Sequence, residues 1–142
     1  MSGTSFNIEI VTPEKEIYRG EATEMVLPAS DGLMGILPNH APIVAALDVG
    51  RVSVKRVDGG QDLMMISDGF FEMANNSARI LADVGERRED IDVERARRAE
   101  ERARKRLAMK AGDKSHDIDY IRVERSLQRA IWRLQIASGE NQ

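Results

Sequence analysis

The 142-residue sequence contains no cysteine, which excludes disulfide staples, thiolate catalysis and cysteine-ligated metals, and is compatible with a reducing compartment. Histidine occurs twice, at His40 and His116, in different parts of the chain and without flanking acid clusters. Neither a histidine metal site nor a nucleophile–base pair can be assembled from them. Aromatic residues make up 4% of the chain, too few for a stacking platform on single-stranded nucleic acid, and the net charge of −3 argues against a general nucleic-acid binder. No apolar run approaches the roughly 20 residues needed to cross a bilayer. The opening MSGTSFNIEIV lacks a basic segment followed by an apolar core, so no leader is predicted. Neither a Walker-type glycine loop nor a GxGxxG fingerprint is present.

What is there is divided sharply. Residues 1–86 hold all four prolines and nine of the eleven glycines, with thirteen acidic against six basic side chains. Residues 87–142 hold fifteen basic and eleven acidic side chains. An acidic first half and a basic second half predict two modules with different partners, dividing near Glu86.

In the first module Phe6, Ile8 and Ile10 alternate with Asn7 and Glu9, and the same period of two returns in Val52 and Val54 and from Arg79 to Ala82. That is the pattern of half-buried strands. Asp31-Gly32, Asp58-Gly59-Gly60, Asp68-Gly69 and Asn75-Asn76 supply residues that tolerate positive φ and read as turns between them. Residues 52–57 and 61–67 form the best hairpin candidate. Short strands at regular spacing predict an antiparallel β-sandwich or flattened barrel rather than a parallel sheet. The segment DGLMGILP at 31–38, with Gly32, Leu33 and Met34, is either a tight corner or a contact surface.

Past Glu86 the period becomes helical. Ala96, Ala99, Ala103 and Leu107 mark one apolar stripe, with Asp90 or Asp92 available as its cap. Residues 110–117 read as a loop. Tyr120, Val123, Leu127, Ala130 or Ile131, and Leu134 mark a second stripe, capped by Asp117. The two helices are expected to pair antiparallel across a narrow, alanine-rich seam. Beside the stripes run Arg95, Arg98, Arg102 and Arg106, then Arg122, Arg125, Arg129 and Arg133. A solvated face laced with ion pairs is the plain explanation: Glu94 can serve Arg98, Glu100 can serve Arg104, and Glu101 can serve Lys105. The residues four before Arg102, Arg106, Arg129 and Arg133 are all arginines, however. Like charges at that spacing repel, so an external phosphate or carboxylate would relieve them.

The segment Gly35-Ile36-Leu37-Pro38-Asn39-His40-Ala41-Pro42 resembles the Gly-Ile-Leu-Pro-Gly-His-Ala-Pro of bacterial F-type ATP synthase epsilon subunits. Ser67-Asp68-Gly69-Phe70-Phe71-Glu72 resembles their Ser-Gly-Gly-Phe-x-Glu, and Glu89-Asp90-Ile91-Asp92 opens a helical hairpin where that family has one. The resemblance covers essentially the whole chain. It implies an N-terminal β-sandwich of about ten strands over residues 1–86, bound to the gamma subunit and the c-ring. A two-helix regulatory hairpin over residues 87–142 would follow. The chain would be a non-catalytic rotor part at the cytoplasmic face of the cell membrane, held there only through the complex. In that family the hairpin folds down to permit ATP hydrolysis or extends toward acidic loops of the catalytic alpha/beta subunits to inhibit it.

Some relatives steady the folded form with ATP through an Ile/Leu-Asp-x-x-Arg-Ala motif, matched here by Ile91-Asp92-Val93-Glu94-Arg95-Ala96. No cofactor is required, and ATP is a regulatory ligand on this reading. The resemblance then assigns Glu86 and Asp92 to the adenine or a helix cap, and Arg95, Ala96, Arg102, Arg129 and Arg133 to the rest of the site, with Arg106 and Arg122 as further basic positions. Gly32, Leu33, Met34 and His40 become the loop facing the c-ring and gamma. Leu33 stands where many relatives have Glu, and Asp68 replaces a glycine. A nucleic-acid module built on the basic helices is the alternative.

Overall fold

The computed structural model describes residues 4–110 and 117–139, and the chain divides into two compact units between Arg88 and Glu89. Among the described residues the first unit contains seven strands: β1 (Phe6–Val11), β2 (Glu16–Ala29), β3 (Gly32–Ile36), β4 (Ile43–Leu47), β5 (Gly50–Arg56), β6 (Gln61–Ala74) and β7 (Ser77–Arg87). The resemblance implied about ten strands; β2 and β6 run 14 residues each, and β6 continues through Asp68-Gly69, read from the sequence as a turn. Strand β6 pairs with β5 through residues 61–66 and with β4 through residues 69–73. Asp68-Gly69 is therefore not a turn between strands. It is a corner within β6, with Asp68 at φ 55°. Gly69 is required there by close approach, since a Cβ would lie 2.2 Å from the Leu81 carbonyl oxygen.

Pairing of β1 with both β2 and β7, together with the β2–β5, β5–β6 and β6–β7 ladders, closes the strands into a flattened sandwich. Every ladder is antiparallel except β1–β7, where Ile8 lies beside Ala78 in parallel register. That is a departure from the all-antiparallel expectation. The β5–β6 hairpin forms as predicted around Asp58-Gly59, with Gly59 at φ 92°. Asn75 and Asn76, at φ 53° and 59°, make the two-residue β6–β7 turn, the geometry that matches strand twist. Inward positions of each strand meet in one core that includes Phe6, Ile8, Met25, Leu27, Ile36, Phe71 and Ile80.

A single 3-10 turn over Arg88–Asp90 leads into the second unit, which contains α1 (Val93–Lys110) and α2 (Asp117–Ser138). Asp92 starts α1: its Oδ1 accepts the Arg95 amide at 3.0 Å and its carbonyl accepts the Ala96 amide at 3.0 Å. The seam between the helices holds Ala103, Val123 and Leu127, with Leu107 and Ile131 packed at its margin. Sharing of this cluster by the end of α1 and the start of α2 gives the expected antiparallel pair. Ala130 is fully buried, whereas Tyr120, expected in the stripe, is exposed. Lys110 and Asp117 belong to the helices rather than to a loop. Gly112, Asp113, Ser115 and His116 lie outside the described residues.

Candidate functional site

The first turn of α1 brings Asp92, Arg95 and Ala96 together. The Asp92 carboxylate is committed to the Arg95 amide, so its position is that of a helix cap. Ala96 is buried and presents no side chain to solvent. Glu86 belongs to the other unit, half-buried near the end of β7 and opposite Met65 of β6.

Along α1, Arg95, Arg98, Arg102 and Arg106 are exposed, and among the described residues their side chains make no ion pair. Glu94 pairs with Arg97 rather than with Arg98, while Glu100–Arg104 and Glu101–Lys105 form as spaced. On α2, Arg122 is exposed, but Arg129 and Arg133 are half-buried. Arg129 Nη2 donates to Ser126 Oγ at 3.2 Å, and Arg133 is also engaged. Arginines do stand four residues before both, but neither side chain is without a contact: Ser126, three residues before Arg129, supplies a hydroxyl. The stripe is thus strongest on α1, where several guanidinium groups remain available to an anion. Among the described residues no group of three His, Cys, Asp or Glu side chains could hold a metal.

The sandwich carries a second kind of surface. Leu33 in β3 is 80% exposed, following Gly32 at φ 134°, whereas Met34 packs on the core, as strand alternation requires. Leu33 and Met34 therefore do not form one exposed pair. His40 sits in the β3–β4 loop after Asn39 (φ 64°); its amide donates to the Leu37 carbonyl at 3.2 Å and its Nδ1 donates to the Ala41 carbonyl at 2.7 Å. Those bonds give His40 a role in shaping the loop.

Sequence reasoning missed an apolar surface on the sandwich. Ala46, Phe70, Leu81 and Val11 follow one another across β4, β6, β7 and β1 in register, with Val44 on the same side of β4. Phe70 is 60% and Val44 69% exposed. Phe70 borders an open groove lined also by Val11, Pro13, Ala46 and Leu81 together with Asp68 and Asp83. The available signal was parity: in a strand, adjacent Phe70 and Phe71 must face opposite ways, so one had to face out.

The beta-sandwich domain of the ATP synthase delta/epsilon chain matches residues 5–88, and its long alpha-helix domain matches residues 89–138. The chain belongs to the ATP synthase delta/epsilon family. It is 44% identical over 111 residues to the ATP synthase epsilon chain of Syntrophomonas wolfei, covering 78% of this chain and 81% of that one. With the epsilon chain of Moorella thermoacetica it shares 43% identity over 103 residues, 72% of this chain and 77% of the relative. A chain of the Euglena gracilis mitochondrial ATP synthase superposes with a TM-score of 0.77 at 22% identity, covering 96% of this chain and 82% of that chain, which shows a shared fold. As an epsilon subunit of the bacterial type, the chain is a non-catalytic component of the ATP synthase central stalk.

The departures from the family motif now have a physical reading. Asp68 occupies a left-handed backbone position, which glycine adopts freely and which aspartate is among the few other residues to tolerate. Its replacement of a glycine leaves the β6 corner intact. At Leu33, where the resemblance led one to expect Glu, an exposed apolar side chain stands.

Proposed function

We propose that the sandwich docks on the gamma subunit and the c-ring and so couples their rotation to the catalytic alpha/beta subunits, at the cytoplasmic face of the membrane and through the complex alone. The observation that carries this reading is the apolar row Ala46–Phe70–Leu81–Val11, which lies on the outside of a module with excess acidic charge. Exposed apolar surface of this continuity marks an interaction face, and an aromatic at its centre is a typical anchor. Phe70→Glu should weaken association of the purified chain with gamma by more than about tenfold, since such anchors contribute about 2 kcal/mol or more. Its melting temperature should stay near that of the wild type, because the side chain already faces water. Undiminished gamma binding by Phe70→Glu rules out this face.

A second reading, supported by the exposed guanidinium groups of Arg95, Arg102, Arg106 and Arg122 on the capped hairpin, makes the helical unit a regulator. On this reading it inhibits ATP hydrolysis when its cations meet acidic loops of the catalytic subunits, and it yields when ATP phosphates occupy them instead. Asp92 caps α1 beside these cations, and Arg129 and Arg133 exchange their present contacts for phosphate oxygens on this reading. Calorimetry on the isolated chain should detect ATP, with Arg102→Ala plus Arg129→Ala weakening it strongly. Silence at millimolar ATP removes the nucleotide part. Binding to any duplex with affinity falling steeply in salt would favour the nucleic-acid alternative instead.

A further inference from the structure

The apolar row on the sandwich has two unlike margins. One pleat to one side of it, Glu72, Arg79, Glu9 and Arg19 follow in register across β6, β7, β1 and β2. Charges on that margin answer one another: Arg79 Nε lies 3.2 Å from Glu9 Oε1, and Arg19 Nη2 lies 2.7 Å from Glu9 Oε2. One pleat to the other side stand Asp68 and Asp83, between the Ser67–Val84 and Gly69–Ala82 pairs of the β6–β7 ladder.

Both of these carboxylates line the groove beside Phe70, and among the described residues no lysine or arginine lines it. Asp83 is exposed, and Asp68 accepts Ser67 Oγ at 3.3 Å. A cation brought to this margin by a docking segment meets two carboxylates. Brought to the opposite margin, it meets charges that are already paired within the chain. The face is therefore electrostatically one-sided as well as apolar.

We propose that the partner segment seated across Phe70 carries a lysine or arginine at one margin of an apolar ridge, and that Asp83, with Asp68 beside it, receives that cation and so fixes the direction in which the segment lies. This rests on the reading that the face docks gamma, and adds to it the chemistry of the gamma segment and the residue that selects it. Apolar contact anchors such a segment but is indifferent to its direction; charges at the margin of an interface penalise the reversed arrangement and speed the correct encounter. Asp68 stands where the family motif has glycine, so this margin carries one more carboxylate than the motif supplies.

Binding of the full chain to the purified gamma subunit, measured between about 0.05 and 0.5 M salt, tests it. Wild-type affinity should fall as salt rises. Asp83→Asn should weaken binding about tenfold at low salt and flatten that fall, and Asp83→Lys should weaken it about a hundredfold, as expected when a charge pair is removed or reversed. Asp68→Asn, which keeps a residue tolerant of positive φ, should weaken it about threefold. Glu24→Gln removes the same charge from an exposed position beside Lys55, outside the groove, and should leave affinity within about twofold. If Phe70→Glu weakens gamma binding while Asp83→Asn keeps the wild-type affinity and salt dependence, the docking face stands and the cation is overturned. Undiminished binding by Phe70→Glu removes the face and this inference with it. A dimer of the isolated chain that Phe70→Glu dissolves, with gamma binding untouched, assigns the face to a second copy and overturns it as well.

Discussion

The sandwich and the helical hairpin are built by opposite means. The sandwich buries large side chains completely, among them Phe6, Phe71, Met25 and Ile80, and ties its strands by ladders between residues distant in sequence. The hairpin has a seam of Ala103, Val123 and Leu127, and its first helix is started by a cap and held by local ion pairs. Buried apolar area is the main stabilising term, and alanine contributes little of it. Helices with such a seam owe much of their order to local terms, each of which contributes about 1 kcal/mol or less. A sandwich with a large closed core and a hairpin with a narrow seam are joined by a three-residue turn.

Mutation can break that comparison. The largest effect is expected for Phe71→Ala, about 3–5 kcal/mol of lost sandwich stability in denaturant unfolding, because a fully buried ring leaves a cavity in a closed core. Leu127→Ala should cost about 2 kcal/mol, at the low end for such truncations, since the seam is open at its margins and can collapse. Equal losses for the two variants would mean the hairpin is as tightly packed as the sandwich. Asp92→Ala removes the cap and should lower hairpin stability by about 1 kcal/mol, read as lost helical circular dichroism with the strand signal unchanged. Asp68→Gly should be nearly neutral, within about 0.5 kcal/mol, because relief at a positive φ is offset by a more flexible unfolded chain.

The gentlest contrast is a slope with pH. Burial, then the hydrogen bond to Asp62, pushes the Tyr18 phenol well above the ordinary tyrosine range. The folded sandwich therefore holds that proton more tightly than the unfolded chain does. Its contribution is whole below about pH 10, the unfolded value, and declines as pH rises beyond it toward the folded value. Tyr18→Phe should flatten the alkaline loss of sandwich stability, measured by thermal unfolding at stepped pH. An unchanged slope would assign that loss to other groups.

Local chemistry was the legible part of this fold. Asp58-Gly59 and Asn75-Asn76 announced their hairpins because positive φ restricts residue choice at those points, and Asp92 announced its helix because a carboxylate there can reach the Arg95 amide. Asp68-Gly69 was misread by the same logic. The residues report a left-handed backbone correctly, but a corner inside a strand and a turn between strands share that backbone, and only the partners β4 and β5 on one edge of β6 tell them apart. In the candidate site the α1 arginines were legible from spacing, and the Ser126–Arg129 contact lies at a spacing of three that a count of charges passes over; the half-burial of Arg133 was not legible, because it depends on where the helix surface faces.

By itself the sequence determined two modules of opposite charge, their strand and helix periods, the turns at Asp58-Gly59 and Asn75-Asn76 and the capped start of α1. All of these are decided within a few residues by backbone sterics, side-chain parity and like-charge repulsion. Only the tertiary structure decided the parallel β1–β7 pairing, the apolar row from Ala46 to Val11, and the Tyr18–Asp62–Arg56 chain behind Arg87. Each of those joins residues far apart along the chain, and no local rule selects one distant partner when many side chains of the same chemistry are available.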